Sequence, residues 1–414
     1  MELINYIDIV GKERAFEVLR QEPYNLQIDQ HPKYGWYMFY YTMRETDMSY
    51  TISKECRGVI LNCDCTEVIC RPMDKTFNYN EPNAYPVDFS KSIILEKVDG
   101  SFLNVFYDDD KWHIKLNKNF DCKCNIMFPT DEFKTFDDII ADIIDINTLY
   151  DVLSETKNVN KEFTFMFEIT HPLNMIVVQS DPELVFLGMR HNKTGIEYSQ
   201  IHGGFQYIAK KLEKLGIRTP RHFKLDRIDI PKLMDVTQSY NKEKVTLEGF
   251  MVCQVNRMGY IDGRVKVKDP KYLNFHKMQD PATAKNTYYL VFRDNEQEEF
   301  EAYLQDAPEY LKREYYKLKV FWIDIEKEFK KYTEQFTAMY KKEVDIQGET
   351  EGRKQIALYI RDHVPKYMQS FLLTMVFNNL TLYDVLSQKQ SHKPVKRLID
   401  NYKKYTKKER ESDI

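Results

Sequence analysis

The feature that most constrains this chain is a change in the period of its apolar residues near residue 280. Before it, apolar residues come in short runs: "RGVILN", "FLNVFY", "WHIKL", "FTFMFEI", "MIVVQ", "LVFLGM", "GFMVCQV" and "RVKVK". These runs are rich in β-branched and aromatic residues and bounded by Gly, Pro, Asn or Asp, which predicts strands. Between them, residues 137–155 and 205–216 carry helical apolar spacing, the second closed by Gly216. The mixture is α+β, without regular βαβ alternation. Beyond it, no proline falls between Pro308 and Pro365, and only Gly348 and Gly352 interrupt. Phe300, Tyr303, Leu304, Leu311, Tyr315, Leu318, Phe321, Ile325, Phe329 and Tyr332 recur at three- and four-residue steps, a helical stripe. The expected organisation is an α+β domain over 1–279 and an all-α domain over 280–414.

Composition narrows the class. With 43% hydrophobic and 30% charged residues in 414, the chain is long enough for two or three cored domains. No run of 18 apolar residues occurs, and acids interrupt the start "MELINYIDIVGKERAF", so neither a membrane span nor a signal peptide is expected. Seven cysteines then read as reduced thiols in a cytoplasmic protein. Cys63/Cys65 and Cys122/Cys124 are read as alternating strand positions rather than zinc ligands, being closely spaced and far from any His. A net charge of −4 does not announce a nucleic-acid binder, yet a local basic groove would serve one. The aromatic run "KYGWYMFYYTM" is read as core with snorkelling Tyr rather than as a base-stacking surface.

Residues 95–106, "LEKVDGSFLNVF", place Lys97, Asp99 and Gly100 at the mouth of a strand–turn–strand. Alone, K-x-D-G is a weak signal. Elsewhere, however, charges stand inside apolar strands: Arg57 in "CRGVI", Glu168 in "FMFEIT", Glu248 in "LEGFMV", and Lys266 and Lys268 in "RVKVKDPKY". Arg71 and Lys75 lie in "RPMDKTFNYNE". A charge in such a setting is unfavourable without a partner. Lys266 and Lys268, two apart on a strand, share a face and repel unless an anion lies between them. A phosphate chain is the natural anion, and Glu168 and Glu248 suit a ribose hydroxyl or a divalent metal. A solvated strand face explains any one of these; so many in one half of the chain call for a site.

In this order the motifs resemble the covalent nucleotidyltransferases, the polynucleotide ligases and capping enzymes. More specifically they resemble the RNA ligase 1 family of the T-even phages, over about residues 55–277. "KVDGS" is similar to the nucleophile motif, and "CRGVI" with "RPMDKTFNYNE" resembles the upstream segment. "FEITHPLNMIV", "LVFLGMRHNKTG", "LEGFMV" and "VKVKDPKYLNFHK" resemble the later ones. The resemblance implies a nucleotidyltransferase domain of antiparallel sheets with helices, ATP and Mg2+ (or Mn2+) as cofactors, and RNA with 5′-phosphate and 3′-hydroxyl ends, such as nicked tRNA, as partner. A monomer in the cytoplasm (a host's, for a viral protein) and no membrane follow from the same likeness. Lys97 would carry AMP. Arg57, Lys75, Phe77, Gly100, Glu168, Leu187, Met251, Lys266 and Lys268 would contact the nucleotide. Glu248 would join them and touch metal, and Asp99 would orient the turn or the metal. Two departures stand out: Met175 occupies a usual Arg position, and Thr76 replaces an aromatic. A further family lysine is bracketed by Lys115 and Lys118, of which Lys118 matches better.

The implied chemistry makes physical demands. A lysine attacks phosphorus only as the free amine, whereas an ordinary lysine has a pKa of about 10.4. Partial burial and the cations Arg57, Lys75, Lys266 and Lys268 are expected to lower that of Lys97. The same cations would stabilise the transferring phosphoryl group. A DNA ligase or capping enzyme would instead carry a β-barrel after Lys268, against the helical stripe. A non-catalytic RNA-binding relative would have lost some of Lys97, Glu168, Glu248 and the paired lysines.

Overall fold

The computed structural model describes residues 1–273, except 43–44, 127–128, 156–158, 226–227, 243–244 and 271, together with residues 309–387 and Leu398. Two compact units emerge, Met1–Leu273 and Asn274–Ile414. The expected boundary at 279/280, Phe300, Tyr303 and Leu304, and the basic tail all lie outside the described residues.

The first unit is built on three sheets. Strands β1 (Gln27–Gln30), β2 (Tyr37–Tyr40), β3 (Arg57–Leu61) and β4 (Val68–Cys70) form one in that order. A third pairs β5 (Phe77–Asn78), β13 (Ile261–Lys268), β12 (Gly249–Val255) and β6 (Ser92–Glu96). Between these strands in sequence come β7 (Ser101–Asp108), β8 (Lys111–Leu116), β9 (Phe163–Thr170), β10 (Glu183–His191) and β11 (Glu197–Tyr198), in the spatial order β11-β10-β9-β7-β8. Every pair is antiparallel except β5 with β13.

Why β7 reads as a nearly unbroken apolar run is now plain. Leu103 and Val105 face a core shared with the helices Phe136–Ile143, Ile146–Ser154 and Gly203–Glu213. Phe106 faces the opposite way, onto Trp36, Met38, Ile60 and Cys70 of the first sheet. A strand covered on both faces has no polar side to show. The aromatic run near the start behaves as core: Trp36, Met38 and Phe39 are buried, and Tyr37 and Tyr40 are half-buried.

Three expectations need correction. "MIVVQ" (175–179) is not a strand but a bend segment after the short turn Pro172–Asn174, because its amides are drawn to a buried carboxylate described below. The helical stretch 137–155 is two helices, since Asp145 caps the second by accepting from the Asn147 amide. Neither C-x-C pair alternates along a strand; both lie in turns, and Cys65 adopts a left-handed φ of 60°.

In the second unit the described residues form helices Glu309–Gln347, Glu349–His363, Lys366–Asn378 and Leu382–Ser387. The stripe is the buried face of the first: Phe321, Ile325 and Phe329, with Trp322, pack on Ile356, Ile360, Met368 and Phe371. Leu318 and Tyr332 lie at the margin of that core, and Tyr315 is buried. Gly348, at φ 83°, separates the first helix from the second.

Candidate active site

Lys97 leaves the end of β6 in a turn that leads straight into β7. Its backbone amide bonds to the Gly249 carbonyl at 2.9 Å, which anchors the turn to β12. Its Nζ donates to Glu248 Oε2 at 2.6 Å. Lys268 Nζ lies 2.8 Å from Glu248 Oε1, so one carboxylate, only 2% exposed, holds two ammonium groups. In the β12–β13 pairing, Met251 stands opposite Lys266 and Gly249 opposite Lys268. Alternation along β13 sends Lys266 and Lys268 into the same cavity, as their spacing predicted.

Arg57, Lys75, Glu168, Leu187 and Met251 line that cavity too. Arg57 lies over the Phe102 ring, 4.3 Å from its centroid. Leu187 is the extra residue of a bulge in β10, where the register with β9 shifts between Phe186 and Gly188. Phe77, Asp99, Gly100, Lys115, Lys118 and Glu248 fall outside that lining. Phe77 is buried and faces a neighbouring depression with Lys54 and Tyr85. Lys118 is exposed, 6.0 Å from the Tyr40 ring centroid. Lys115 is fully buried and donates to two backbone carbonyls. Asp99 borders an adjoining groove that Lys97 and Glu248 also line.

Asp99 is occupied by the protein itself. Its Oδ2 accepts from the amides of Val177 (2.8 Å) and Val178 (2.7 Å), and Tyr272 donates its hydroxyl to Oδ1 at 2.7 Å. Those bonds pull 175–179 out of any strand ladder. Gly100 serves closeness of another kind than expected: a Cβ there would sit 2.3 Å from the Ile169 carbonyl oxygen and 3.0 Å from Glu168 Cγ. The tight approach is to β9. Arg71 is likewise structural, with Nη1 on the carbonyls of Asn192 and Lys193. Met175, at the departure from the usual Arg, is buried.

The electrostatics overturn one expectation. Burial acts to lower the pKa of Lys97, but the carboxylates of Glu248, Glu168 and Asp99 outweigh it, and Lys97 is held above the ordinary lysine value. The lysine that is pushed down is Lys266, to about 7, by burial and then by Lys75, Lys97, Lys268 and Arg57. Among the described residues no carboxylate pairs with it. Lys75 is lowered as well, by burial and by Arg57. Burial lifts Glu168 to about 7 against the pull of Lys97, with the Glu248 charge adding to the lift. Glu248 stays below the usual range despite burial, because Lys97 and Lys268 flank it.

Sequence reading passed over Arg264, which lines the cavity and is ion-paired to Glu197. The rule that joined Lys266 to Lys268 would have found it two residues earlier on the same strand. Tyr41, Met73 and Phe102 complete the apolar wall and carried no comparable signal.

The arrangement suits an anion with an apolar appendage, because Arg57, Lys75, Lys97, Arg264, Lys266 and Lys268 share the lining with Leu187 and Met251. Comparison with known proteins agrees in kind. The family model described as RNA ligase matches residues 55–272. A protein of Autographa californica nuclear polyhedrosis virus, named as a bifunctional polynucleotide kinase/RNA ligase, is 23% identical over 275 residues, 63% of this chain. The match spans 36% of that relative's length. Among solved structures, an archaeal ATP-dependent RNA ligase aligns at 14% identity over 86% of this chain and 82% of its own, with a TM-score of 0.44. A Naegleria gruberi RNA ligase variant with ATP and Mn aligns at 14% identity over 45% of this chain and 52% of its own, with a TM-score of 0.32.

Proposed function

The chain belongs to the RNA ligase family, and from that premise we propose that it joins RNA 5′-phosphate and 3′-hydroxyl ends at the expense of ATP, through a lysyl-AMP on Lys97. The observation that carries the reading is the Glu248 carboxylate bridging Lys97 and Lys268, beside an unpaired Lys266. A protein gains nothing in stability from such crowded, buried like charges. A polyphosphate relieves them.

Lys97 attacks the α-phosphorus, forming a P–N bond as the bond to pyrophosphate breaks. Lys266 and Lys268 hold the phosphate oxygens, with Arg57 and Lys75 completing the positive field and Lys118 at the rim. Glu168 takes a ribose hydroxyl, and Leu187 and Met251 enclose the base. An RNA 5′-phosphate then takes the AMP from Lys97, and a 3′-hydroxyl displaces AMP from the RNA. Asp99 keeps the turn seated, Gly100 sets its distance from β9, and Phe77 supports Lys75 from outside the cavity.

Lys97 begins protonated, so arrival of the nucleotide must weaken its pairing with Glu248. Glu248 offers hard oxygen ligands, but a bare divalent ion beside Lys97, Lys268 and the other lining cations would be repelled. These residues therefore fit Mg2+ or Mn2+ only as it arrives on ATP, with Glu248 as its protein contact. Such an ion supplies charge neutralisation at the phosphates when bound. The helical unit is the candidate for RNA selection, with nicked tRNA as the target and a cytoplasmic monomer as the working form. Among the described residues no helix is long and apolar enough to cross a membrane.

The test is incubation with α-labelled ATP and Mg2+ followed by a denaturing gel, then addition of single-stranded RNA, nicked duplex RNA or nicked DNA. Protein-bound label that moves to RNA 5′ ends supports the reading. A protein that takes no label, or that seals DNA alone, overturns it.

A further inference from the structure

Lys115 has no part in the chemistry above. It lies on β8, is completely buried, and among the described residues no carboxylate pairs with it. Burying an ammonium group without a counter-ion is strongly unfavourable, so its retention asks for a reason. Its Nζ donates to the Gly58 carbonyl at 3.1 Å and to the Asn117 carbonyl at 3.2 Å. The first belongs to β3 and the second to the turn after β8, so one ammonium group ties two segments that no shared ladder joins.

The tie falls where the two segments touch. Gly58 has φ 81°, and a Cβ on it would sit 1.9 Å from the Asn117 carbonyl oxygen. The β2–β3 register also shifts here: Phe39 stands opposite Val59, but Tyr40 opposite Arg57. Gly58 is thus the extra residue of a bulge, a device that re-aims neighbouring side chains. The side chain it re-aims is Arg57, which enters the cavity over Phe102. Without that ammonium, the Gly58 and Asn117 carbonyls would each lose a donor, and the bulge would lose a tie that fixes it.

We propose that Lys115 is a positioning residue for this site: by bridging the Gly58 and Asn117 carbonyls it locks the β3 bulge and so aims Arg57 into the cavity. The bracketed family lysine therefore cannot be Lys115 acting on ATP directly. The kinetic part of the test rests on the ligase reading; the structural part does not.

In the full-length chain, Lys115→Met should reduce AMP loading of Lys97 by about tenfold to a hundredfold, the scale of a misplacement near 1 Å. Lys115→Gln keeps an amide donor and should recover part of that loss. In an Arg57→Ala background, Lys115→Met should change loading by less than about threefold, because residues acting through one another are not additive. Fully multiplicative losses in the double variant would show general support of the core and overturn the proposal. The second measurement is a crystal structure of the Lys115→Gln protein, which also serves if Lys115→Met does not fold. Arg57 displaced from the Phe102 ring supports the inference; Arg57 unmoved overturns it. If the unaltered protein takes no AMP at all, the ligase reading fails, and the position of Arg57 still decides the role of Lys115.

Discussion

The two units place their charges in opposite ways. Among the described residues, every buried charged side chain lies at or before Asp269. Lys115, Glu248 and Asp99 are buried outright, and Lys97 and Lys268 are mostly so. The helical unit has an apolar core of Trp322, Ile325, Phe329, Ile360 and Leu372. Its ion pairs, such as Arg353–Glu349 at 2.9 Å and Arg361–Asp362 at 3.0 Å, are exposed. Exposed pairs of that kind contribute about 0–1 kcal/mol each. The contrast teaches where to look for chemistry: apolar packing gives no stability reason to bury charge, and in the first unit the half-buried Lys97 and Lys268 meet the buried Glu248 beside one cavity.

Four experiments break or sharpen that contrast, the largest effect first. Lys97→Ala should form no AMP adduct, and Lys97→Arg should fail equally because a guanidinium stays protonated. Mass spectrometry placing AMP on Lys75 or Lys115 would remove Lys97 from its role. Next, Lys268→Ala should slow adduct formation by about 10²–10³, the scale of losing one charged contact to a developing phosphoryl charge. A folded Lys268→Ala protein with normal loading would break the clamp.

Lys266 gives a pH dependence with a defined sign. With its pKa at about 7, it is cationic below neutrality and neutral above. The KM for ATP should therefore rise between about pH 6 and 8.5, while the rate at saturating ATP climbs as Lys97 sheds its proton. Lys266→Arg keeps its charge and should flatten the KM profile. A KM already flat in the unaltered protein would separate Lys266 from the phosphates. Smallest of all should be the effect of truncation on AMP uptake. A chain ending near residue 280 should load AMP within a few-fold of the full protein and lose its preference for nicked tRNA over a short unstructured RNA, since structured RNA is read by shape and phosphate position. Equal losses on both RNAs would make the helical unit a prop.

Much of the site was legible because a charge inside an apolar strand is an anomaly that strand period alone exposes. Arg57, Glu168, Lys266 and Lys268 were found that way; Glu248, expected inside a strand too, stands instead just before β12, and the structure brings it to Lys97 and Lys268. The pKa direction of Lys97 was not legible, because its cations are near in sequence pattern but its closest contact is the Glu248 carboxylate. "MIVVQ" misled because a short β-branched run reads as a strand until something else claims its amides, and that claimant, Asp99, lies 78 residues away from Val177. Tyr272 and the bridge made by Lys115 left no periodic trace. The helical stripe was legible because one buried face on a long helix repeats the same signal many times. The change of period near 280 marked a boundary only by the patterns on either side of it, and that boundary falls outside the described residues.

Gly100 carries a consequence for how this cavity could ever change. The absent side chain lets β7 lie against β9 so closely that Glu168 sits beside the Lys97 turn. Any substitution there would move the strand bearing Glu168 before it touched a ligand. A lineage altering its nucleotide preference by single steps is therefore barred from this wall, where the first step breaks two partners at once. Two other lining residues are more forgiving: Leu187 stands in a bulge of β10, and Met251 on β12 is an unbranched, adaptable side chain. Variation in base recognition should accumulate there, while position 100 stays glycine.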